Sequence, residues 1–561
     1  MSGSEKKQTF LHGAALLAVA TAVVKLIGAF YKIPLKMIIG DQGYGYFTTA
    51  YDIYSVLLMI STAGLPIAMS SMISRANSLG QYNQVRRVYK TSRNIFLGLG
   101  LVSTLLMILL CRLFADKLGQ PDAWFAILCL GPCALLMGFI STYRGFFQGQ
   151  ENMRPTSNSQ MLEAVFKLIV GLVAAYFIMQ LTDSVAMAAG GAILGVTFSC
   201  LISVFYLYTK FRRAYGELPQ TREEPRSYRS TAKSLLAIAI PVTIGSAGLQ
   251  LLTVIETGLY MDRLVHLLQT NQYTIPLIDI LKQELEGSQT ALSAGNVYEQ
   301  IAASLKGIYN FGQTIFNMPC AFIIPITASV LPAVTAQLTL KQDAQVRATE
   351  ESAARITGLL SLPCAVGLCV VAAPVISLLG GYTGEKLKLA GELMTLLAVS
   401  IFPYAVIQYT NVVLQSHGLA HIPVINMLLC GGVKLAVVYI LSGNPALGIV
   451  GVPIGTLLCY TAIGALNLIC IARLVPQKPK LLKNLLRPVL PAAVMGIAVY
   501  GIYQLLIRML GSDGSRVLVC GVPVAVGVAV YMLMVILCKT ITREDCLLLP
   551  KGEKLAKLLR L

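Results

Sequence analysis

The stretch Tyr143–Lys167, YRGFFQGQENMRPTSNSQMLEAVFK, contains the clearest change of character in the chain. An apolar segment ends at about Tyr143 and is followed by a polar turn rich in Gly and Asn. Pro155 then begins a second apolar segment, since proline is tolerated in the first turn of a helix and the Thr and Ser beside it can cap one. That segment carries Glu163 and Lys167 one helical turn apart. The stretch predicts a tight hairpin between two apolar helices, the second of which brings two charges into a hydrophobic span.

The composition around this hairpin is that of a membrane protein. The 561 residues are 56% hydrophobic and only 12% charged, and the mean hydropathy is +0.70. A soluble globular protein has about 25% charged residues. Apolar runs long enough to cross a bilayer as helices recur along the whole chain, without the alternation typical of a transmembrane barrel. The predicted fold class is therefore an all-α integral membrane protein.

The net charge of +18 follows the membrane topology. Roughly 30 of the Lys and Arg residues fall in one alternate set of loops and about 10 in the other, which is the positive-inside pattern. The basic loops and both termini share one side, so we expect both termini to be cytoplasmic. This distribution explains the basic composition without a nucleic-acid partner.

Fourteen transmembrane helices are predicted, as two pseudo-symmetric six-helix lobes and two C-terminal helices. The spans are residues 11–39, 44–73, 95–115, 123–143, 156–181, 185–209, 234–258, 303–333, 355–378, 390–415, 422–442, 448–472, 488–510 and 516–538. The predicted domains are an N-lobe (1–210), a cytoplasmic inter-lobe loop (211–233), a C-lobe (234–473, with an outer loop at 261–306) and a C-terminal part with a basic cytoplasmic tail (474–561). A short surface helix is expected within the outer loop.

The two lobes repeat each other at an offset of about 260–268 residues, as expected for an internal duplication. The matched positions are Ser141 with Gln408, Arg144 with Asn411, Gln148 with Gln415, Pro155 with Pro423, and Lys167 with Lys434. Internal repeats with a binding site at their interface are typical of secondary transporters.

Charged and polar residues recur inside the apolar spans. Each polar group exposed to lipid costs several kcal/mol, so these residues must face one another or water. The candidate cavity cations are Lys25, Lys32, Lys167 and Lys434. The candidate polar or ion-coupling residues are Asp52, Arg144, Glu163, Glu256, Asn310 and Asn411. The lysines suit an anionic phosphate ligand, whereas the carboxylates can bind Na⁺ or H⁺.

Two structural interpretations stand beside the functional ones. The amides and hydroxyls can simply join helices by hydrogen bonds. Glu163 and Lys167, four residues apart, can neutralise each other.

The chain lacks motifs for several other kinds of site. It has no P-loop, no HExxH and no GxSxG, so neither an ATP-driven pump nor a cofactor is expected. His417 and His421 lack a third candidate ligand, and no metal site is expected there. The predicted outer loops contain no cysteine, which excludes a disulfide framework.

The hairpin resembles a known signature. RGFFQGQENMRPTSNSQMLEAVFK is similar to the RGYFQG…M.PTA.SQ..EQ..R motif of bacterial polysaccharide-biosynthesis membrane proteins of the stage V sporulation protein B and MurJ type. These belong to the MOP flippase superfamily, with Wzx and the MATE exporters. KLIGAFYKIPLKMIIGDQGYGYF and AYDIYSVLLMISTAGLPIAMSSMISR resemble the motifs of the group's first two helices.

The resemblance implies a function and some site residues. It implies two lobes around a central cavity, alternating access, and export of a polyprenyl-diphosphate-linked saccharide, lipid II or a related precursor, across the bacterial cytoplasmic membrane. By motif position, Lys25 and Lys32 stand where first-helix arginines would, and Lys167 where the motif has Arg. Met59 and Ile60 occupy the region of a second-helix arginine in MurJ, which is a departure from the pattern.

Three alternatives stay open at this point. A MATE-like cation-coupled drug exporter would need a site dominated by carboxylates. A membrane-embedded glycosyl- or acyltransferase would need catalytic carboxylates or histidines in a large loop. A scaffold without transport would leave the buried charges unexplained. The sequence does not choose the head group, the oligomeric state, or coupling to Na⁺, H⁺ or the membrane potential.

Overall fold

The structure is a computed structural model that describes residues 3–62, 64–150, 152–286, 296–510 and 516–541. Every regular element in these ranges is an α-helix or a short 3₁₀ turn. The helices of the first half are α1 (Gly3–Thr62), α2 (Gly64–Ser78), α3 (Tyr82–Leu109), α4 (Cys111–Lys117), α5 (Trp124–Gly149), α6 (Arg154–Thr182), α7 (Val185–Gly216), α8 (Tyr228–Gln269), α9 (Pro276–Glu286) and α10 (Val297–Thr339).

The second half continues in the same way. Its helices are α11 (Asp343–Val370), α12 (Ala372–Gly380), α13 (Gly384–Val399), α14 (Ile401–Ser416), α15 (His421–Ser442), α16 (Gly451–Leu474), α17 (Leu481–Leu486), α18 (Val489–Leu510) and α19 (Arg516–Leu537). Short 3₁₀ turns precede α5 and α16, at Pro121–Ala123 and Gly448–Val450. The predicted basic tail lies almost entirely outside the described residues.

Eleven segments of the described ranges are long and apolar enough to cross a membrane. They are Leu26–Ser78, Tyr82–Leu109, Pro121–Gly149, Arg154–Thr182, Val185–Gly216, Asp343–Val370, Gly384–Ser416, His421–Ser442, Gly448–Leu474, Leu481–Met509 and Arg516–Leu537. The predicted spans 234–258 and 303–333 lie within α8 and α10, and 11–39 lies within α1. The all-helical membrane class is confirmed, and the count of fourteen stays a prediction.

The first predicted break between spans falls at Gly40. This residue has φ 66° and ψ −174°, so the continuous helical run of α1 changes direction there. A positive φ of this size favours glycine, which has no Cβ to clash with the backbone. The break separates the predicted spans 11–39 and 44–73.

The hairpin forms, but its first helix is longer than predicted. Helix α5 ends at Gly149 rather than at about Tyr143, and α6 begins at Arg154. The extra turns pack on α2, where a Cβ added to Gly149 would lie 2.6 Å from the Cβ of Ile73. Tertiary contact with α2 therefore extends a helix whose end was predicted from local composition.

The chain forms two compact units. The first comprises Met1–Gln272 and Ile278–Asn310, and the second comprises Tyr273–Leu277 and Phe311–Leu561. In the first unit, α6 packs along α7, α5 packs against α3 and α7, and α1 contacts α5, α6, α7 and α8. In the second unit, α18 packs on α19 and α16 packs on α14 and α15. The predicted lobe boundaries stay a prediction, because a division by packing need not follow a sequence repeat.

The loop after α7 folds back onto the start of α3. Asn83 Nδ2 donates to the carbonyl of Thr221 at 2.6 Å, and Arg86 Nη2 donates to the carbonyl of Leu218 at 2.7 Å. The backbone N–H of Gln84 donates to Glu223 Oε1 at 2.9 Å. The part of the predicted inter-lobe loop that lies between α7 and α8 is thus held against α3.

The second unit repeats this arrangement. The segment after α16 folds onto α11, where Gln477 Nε2 donates to Asp343 Oδ1 at 2.7 Å. The backbone N–H of Lys480 donates to Glu351 Oε1 at 3.0 Å. The sequence QVR occurs near the start of both α3 and α11, at 84–86 and 345–347. The repeated contact supports the predicted duplication.

Candidate functional site

A buried ion pair joins α1 to the N-terminal part of α10. Lys306 Nζ lies 3.1 Å from Asp52 Oδ2, and the side chains are 1% and 23% exposed. Both residues belong to the first compact unit. An ionised group within a membrane helix is costly unless it is paired or lines a polar path. The pair provides that compensation and leaves part of the carboxylate accessible.

Neutral polar side chains extend the ion pair into a network. Lys306 Nζ also donates to Thr49 Oγ1 at 2.6 Å, and that hydroxyl lies 2.6 Å from Gln120 Oε1. Asn310 Nδ2 donates to Thr48 Oγ1 at 2.7 Å. The predicted candidates Asp52 and Asn310 therefore lie on the same pair of facing helices.

Two close backbone approaches hold these helices together. A Cβ added to Gly45 would lie 2.3 Å from the carbonyl oxygen of Ala303, and one added to Gly307 would lie 1.8 Å from that of Asp41. Each residue in one contact is 262 positions from its counterpart in the other, since 307 − 45 and 303 − 41 are equal. The same offset relates Thr48 to its bonding partner Asn310. The crossing is thus reciprocal, as a local two-fold relation between repeats requires.

Sequence reasoning missed Lys306 as a site residue. The predicted outer loop 261–306 ends at this residue, which also falls in the first turn of the predicted span 303–333. The signal was nevertheless present, because Lys306, Asn310, Gln313 and Asn317 follow one another at helical spacing. The structure extends α10 back to Val297, which places Lys306 more than two turns inside a helix.

A second ion pair bridges the two arms of the hairpin. Arg144 Nη2 on α5 lies 3.0 Å from Glu163 Oε2 on α6, and Arg144 Nε donates to Ser159 Oγ at 2.9 Å. The two charged side chains are 13% and 27% exposed. Glu163 therefore pairs across the hairpin with Arg144, rather than along its own helix with Lys167.

This pairing leaves an excess of positive charge beside the hairpin. Lys167 Nζ lies 5.7 Å from the centre of the Tyr31 ring, and Lys32 lies near enough to interact electrostatically with Lys167. Among the described residues, no carboxylate lies within 4 Å of either lysine amino group. Lys32 also interacts with Asp52, which is already paired with Lys306. In this group two carboxylates, Glu163 and Asp52, therefore face four cations, which leaves an excess of two positive charges. Both lysines are half-buried.

Two other predicted site residues, Lys25 and Glu256, also belong to the first unit. Lys25 lies on α1, but its side chain lies outside the described part of the structure. Glu256 on α8 is 8% exposed. Its neighbour Thr257 donates to Asp52 Oδ2 at 3.5 Å, so α8 contacts the network around the ion pair.

The predicted residues of the second unit have different surroundings. Asn467 Nδ2 donates to Asn411 Oδ1 at 2.9 Å, and Asn426 Nδ2 donates to Asn467 Oδ1 at 2.8 Å. Asn467 is fully buried. This chain of amides joins α14, α15 and α16, as interhelical hydrogen bonds do in membrane proteins. Lys434 is half-buried on α15.

The described residues give no metal centre. They contain no group of three or more His, Cys, Asp or Glu placed to hold an ion. His417 Nε2 instead lies 2.8 Å from Glu350 Oε1, whose side chain is fully buried. The cysteines of the described ranges are free thiols.

Two family models together match residues 10–512. The polysaccharide biosynthesis protein model matches residues 10–337, and the model of the lipid II flippase MurJ matches residues 297–512. Two Bacillus subtilis (strain 168) proteins align over nearly the full chain. Stage V sporulation protein B is 22% identical, over 97% of this chain and 98% of its own. Lipid II flippase MurJ is 23% identical, over 93% and 94%.

Solved structures show the same fold. A lipid II flippase MurJ in an inward closed conformation superposes with a TM-score of 0.67 at 11% identity, covering 92% of this chain and 97% of that one. An inward-facing multidrug resistance MATE family transporter of the MOP superfamily gives 0.59 at 15% identity, covering 82% and 99%. The fold is therefore shared by flippases and drug exporters. With the polysaccharide biosynthesis model matching more than half of its 561 residues, this chain belongs to the polysaccharide biosynthesis protein family.

Proposed function

We propose that the protein flips a polyprenyl-diphosphate-linked saccharide, lipid II or a related cell-envelope precursor, from the cytoplasmic to the outer leaflet. The observation that carries this proposal is the excess positive charge of Lys32 and Lys167 beside the Arg144–Glu163 pair, with Asp52, already paired with Lys306, as the other carboxylate that acts on Lys32. These residues lie on helices long and apolar enough to span a membrane. Excess cations within membrane-spanning helices are too costly to serve packing alone.

The charge excess suits a diphosphate. A diphosphate ester carries about two negative charges, and lysine binds phosphate as a point charge without demanding a fixed geometry. A site that must release its ligand benefits from such contacts, because the amines can follow a moving head group. The relative named lipid II flippase aligns over nearly the full chain, which agrees with this substrate class.

The proposed mechanism is alternating access between the two lobes. The cytoplasm-open state takes the diphosphate onto Lys32 and Lys167, with Lys25 contributing from the same helix. The lipid tail stays in the bilayer while the lobes rock and the head group leaves outside. We place the protein in the bacterial cytoplasmic membrane with both termini cytoplasmic.

The Asp52–Lys306 pair is the candidate for ion coupling. Neutralising Asp52 by a proton, or recruiting its carboxylate to Na⁺, would leave Lys306 buried without its counter-charge. Such a change favours a rearrangement of α10 relative to α1. The partial exposure of Asp52 gives an ion access to the carboxylate.

A MATE-like cation-coupled drug exporter is the second candidate. The shared fold, the buried carboxylate Glu256 and the partly exposed carboxylate Asp52 favour it. The described ion pairs weigh against it, since Asp52 and Glu163 each already face a cation. A transferase is less well supported, because α9 in the outer loop buries its apolar face at Leu277 and Leu281 as a packing helix does.

Complementation tests the proposal. A bacterial strain depleted of its own lipid II flippase would receive the wild type, the double variant K32Q/K167Q, or the control K210Q/R212Q at matched membrane levels. Lys210 and Arg212 are exposed cations of α7. We expect rescue by the wild type and the control but not by K32Q/K167Q. Equal rescue by all three proteins would exclude Lys32 and Lys167 from the site. If the wild type inserted in the membrane but did not rescue the strain, another polyprenyl-linked glycan would be a better candidate substrate than lipid II.

A further inference from the structure

A second cationic site lies away from the charges described above. A cavity of about 370 Å³ opens among α3, α5 and α7 within the first unit. Its wall includes Tyr89, Lys90, Arg93, Tyr143, Tyr208 and Phe211. These residues lie near the start of α3 and the ends of α5 and α7, which the positive-inside pattern places at the cytoplasmic surface. No carboxylate is among the described residues that line it.

The inner wall is a packed aromatic cluster. The rings of Tyr89 and Phe211 stack with centroids 4.5 Å apart, and Tyr143 lies 5.1 Å from Phe211. The three side chains are 5%, 7% and 6% exposed, respectively. Because each ring is held by its neighbours, the wall is preformed and needs little ordering when a ligand binds.

Two cations stand at the rim. Lys90 and Arg93 are three residues apart on α3, so their side chains leave the same face of the helix. Both are exposed, and the Arg93 guanidinium lies 6.0 Å from the centre of the Tyr89 ring. Neither makes an ion pair among the described residues. A phosphate at this rim can therefore accept from both.

Phenol hydroxyls supply further polar groups inside the cavity. Within the described ranges, the hydroxyls of Tyr143 and Tyr208 make no hydrogen bond to another protein group. Tyr143 is buried, whereas Tyr208 is 47% exposed. A ligand with hydroxyl groups, such as a glycerol or a sugar, would satisfy these donors and pack its carbon face on the rings.

The surface beyond the cavity is suited to lipid chains. Along α3, Leu101 and Leu105 are 49% and 46% exposed. Along α7, Leu201 and Phe205 are 52% and 70% exposed. Cations and tyrosines at the end of an apolar helix face are the arrangement by which membrane proteins hold anionic lipid head groups.

We propose that this cavity binds the phosphate head group of a membrane amphiphile in the cytoplasmic leaflet. Lys90 and Arg93 hold the phosphate, Tyr143 and Tyr208 hold the hydroxyl-bearing part, and the chains lie on the apolar faces of α3 and α7. Two amphiphiles share this chemistry, an anionic phospholipid and a polyprenyl diphosphate. The proposal does not rest on the flippase function, because it uses none of the residues assigned to that function.

Native mass spectrometry of the full-length protein in detergent tests the site. Phosphatidylglycerol, undecaprenyl diphosphate and uncharged diacylglycerol would be added separately to the wild type, K90Q/R93Q, the charge-preserving K90R/R93K and the control K210Q/R212Q. We expect K90Q/R93Q to reduce retention of one or both phosphate lipids about tenfold. K90R/R93K and K210Q/R212Q should retain them, and diacylglycerol should bind weakly to all four proteins.

The lipids distinguish the source of the phosphate. If K90Q/R93Q lost retention of undecaprenyl diphosphate alone, the cavity would be a loading site for a polyprenyl-linked substrate. Loss confined to phosphatidylglycerol would identify a bound phospholipid. If K90Q/R93Q retained both phosphate lipids as well as the wild type does, the proposal would be overturned. Diacylglycerol binding as strong as that of the phosphate lipids would also overturn it. Folding of K90Q/R93Q is checked by size exclusion, where it should elute at the wild-type volume. Binding by K90R/R93K shows that substitution at these two positions is tolerated.

Discussion

Lys306 of α10 donates to Asp52 of α1 at 3.1 Å while its own side chain is 1% exposed. The carboxylate keeps 23% of its surface accessible, so the two partners differ in their access to an entering ion. Because the lysine is the more deeply buried member, its charge depends on Asp52 more than the reverse. This asymmetry determines how substitutions at the two positions should behave.

The first prediction concerns this ion pair. D52N removes the counter-charge of a buried lysine and should lower the unfolding free energy by about 3–5 kcal/mol, seen as a lower melting temperature in detergent. K306M should be milder, since the remaining carboxylate is partly exposed. D52N/K306M should recover much of the loss. Additive losses in the double variant would show that the two charges do not interact.

The second prediction concerns the crossing of α1 and α10. An alanine Cβ at Gly307 would lie 1.8 Å from the carbonyl oxygen of Asp41, and a backbone atom cannot move aside as a flexible side chain can. G307A should therefore greatly reduce the yield of monodisperse protein, and G45A should do the same. Gly98 has open space around it, so G98A is the matched control and should be neutral or slightly stabilising. Normal yield of G307A would contradict the close approach.

The third prediction separates charge from geometry at the hairpin. Arg144 donates through Nε to Ser159 and through Nη2 to Glu163, and a lysine cannot reproduce both directions. R144K should lower the melting temperature although it keeps the charge. The control is R213K, because the Arg213–Glu217 pair is 85% and 67% exposed and such pairs contribute little. Equal melting temperatures for R144K and the wild type would refute a geometric role.

The fourth prediction concerns the loop folded against α3. Asn83 Nδ2 donates to the carbonyls of Thr221 and Glu223, so N83A removes two bonds that hold the segment. Opening of the loop should become about thirtyfold easier, since each of the two lost hydrogen bonds is worth about 1 kcal/mol. Limited trypsin digestion should then cut after Arg222 correspondingly faster. The control variant N94A, at an exposed residue of the same helix, should be cut by trypsin at the wild-type rate.

Local sequence patterns were sufficient to predict much of the fold. Hydropathy predicted the membrane class, and the Gly40 break falls between two predicted spans because a backbone with positive φ needs glycine there. The short helix predicted within residues 261–306 is confirmed as α9, Pro276–Glu286. The resemblance carried by the hairpin motif is confirmed by the family models.

Partner choice could not be read from local patterns. The i, i+4 spacing of Glu163 and Lys167 predicts a pair along one helix, yet Arg144 reaches Glu163 from the facing arm. Lys306 was overlooked because it ended the predicted outer loop, and its partner Asp52 is 254 residues away in the sequence. The end of α5 moved by several residues because packing on α2 outweighed the local composition.

The central claim is that Lys32 and Lys167 carry the diphosphate of a flipped lipid. Its most direct test is a reconstituted assay in proteoliposomes that hold a fluorescent polyprenyl-diphosphate-linked saccharide, with the outward-moved fraction measured by an impermeant quencher. We predict rapid movement by the wild type and by K210Q/R212Q, and movement reduced at least tenfold in K32Q/K167Q. Equal rates in K32Q/K167Q and the wild type, with both proteins folded and inserted, would contradict the account.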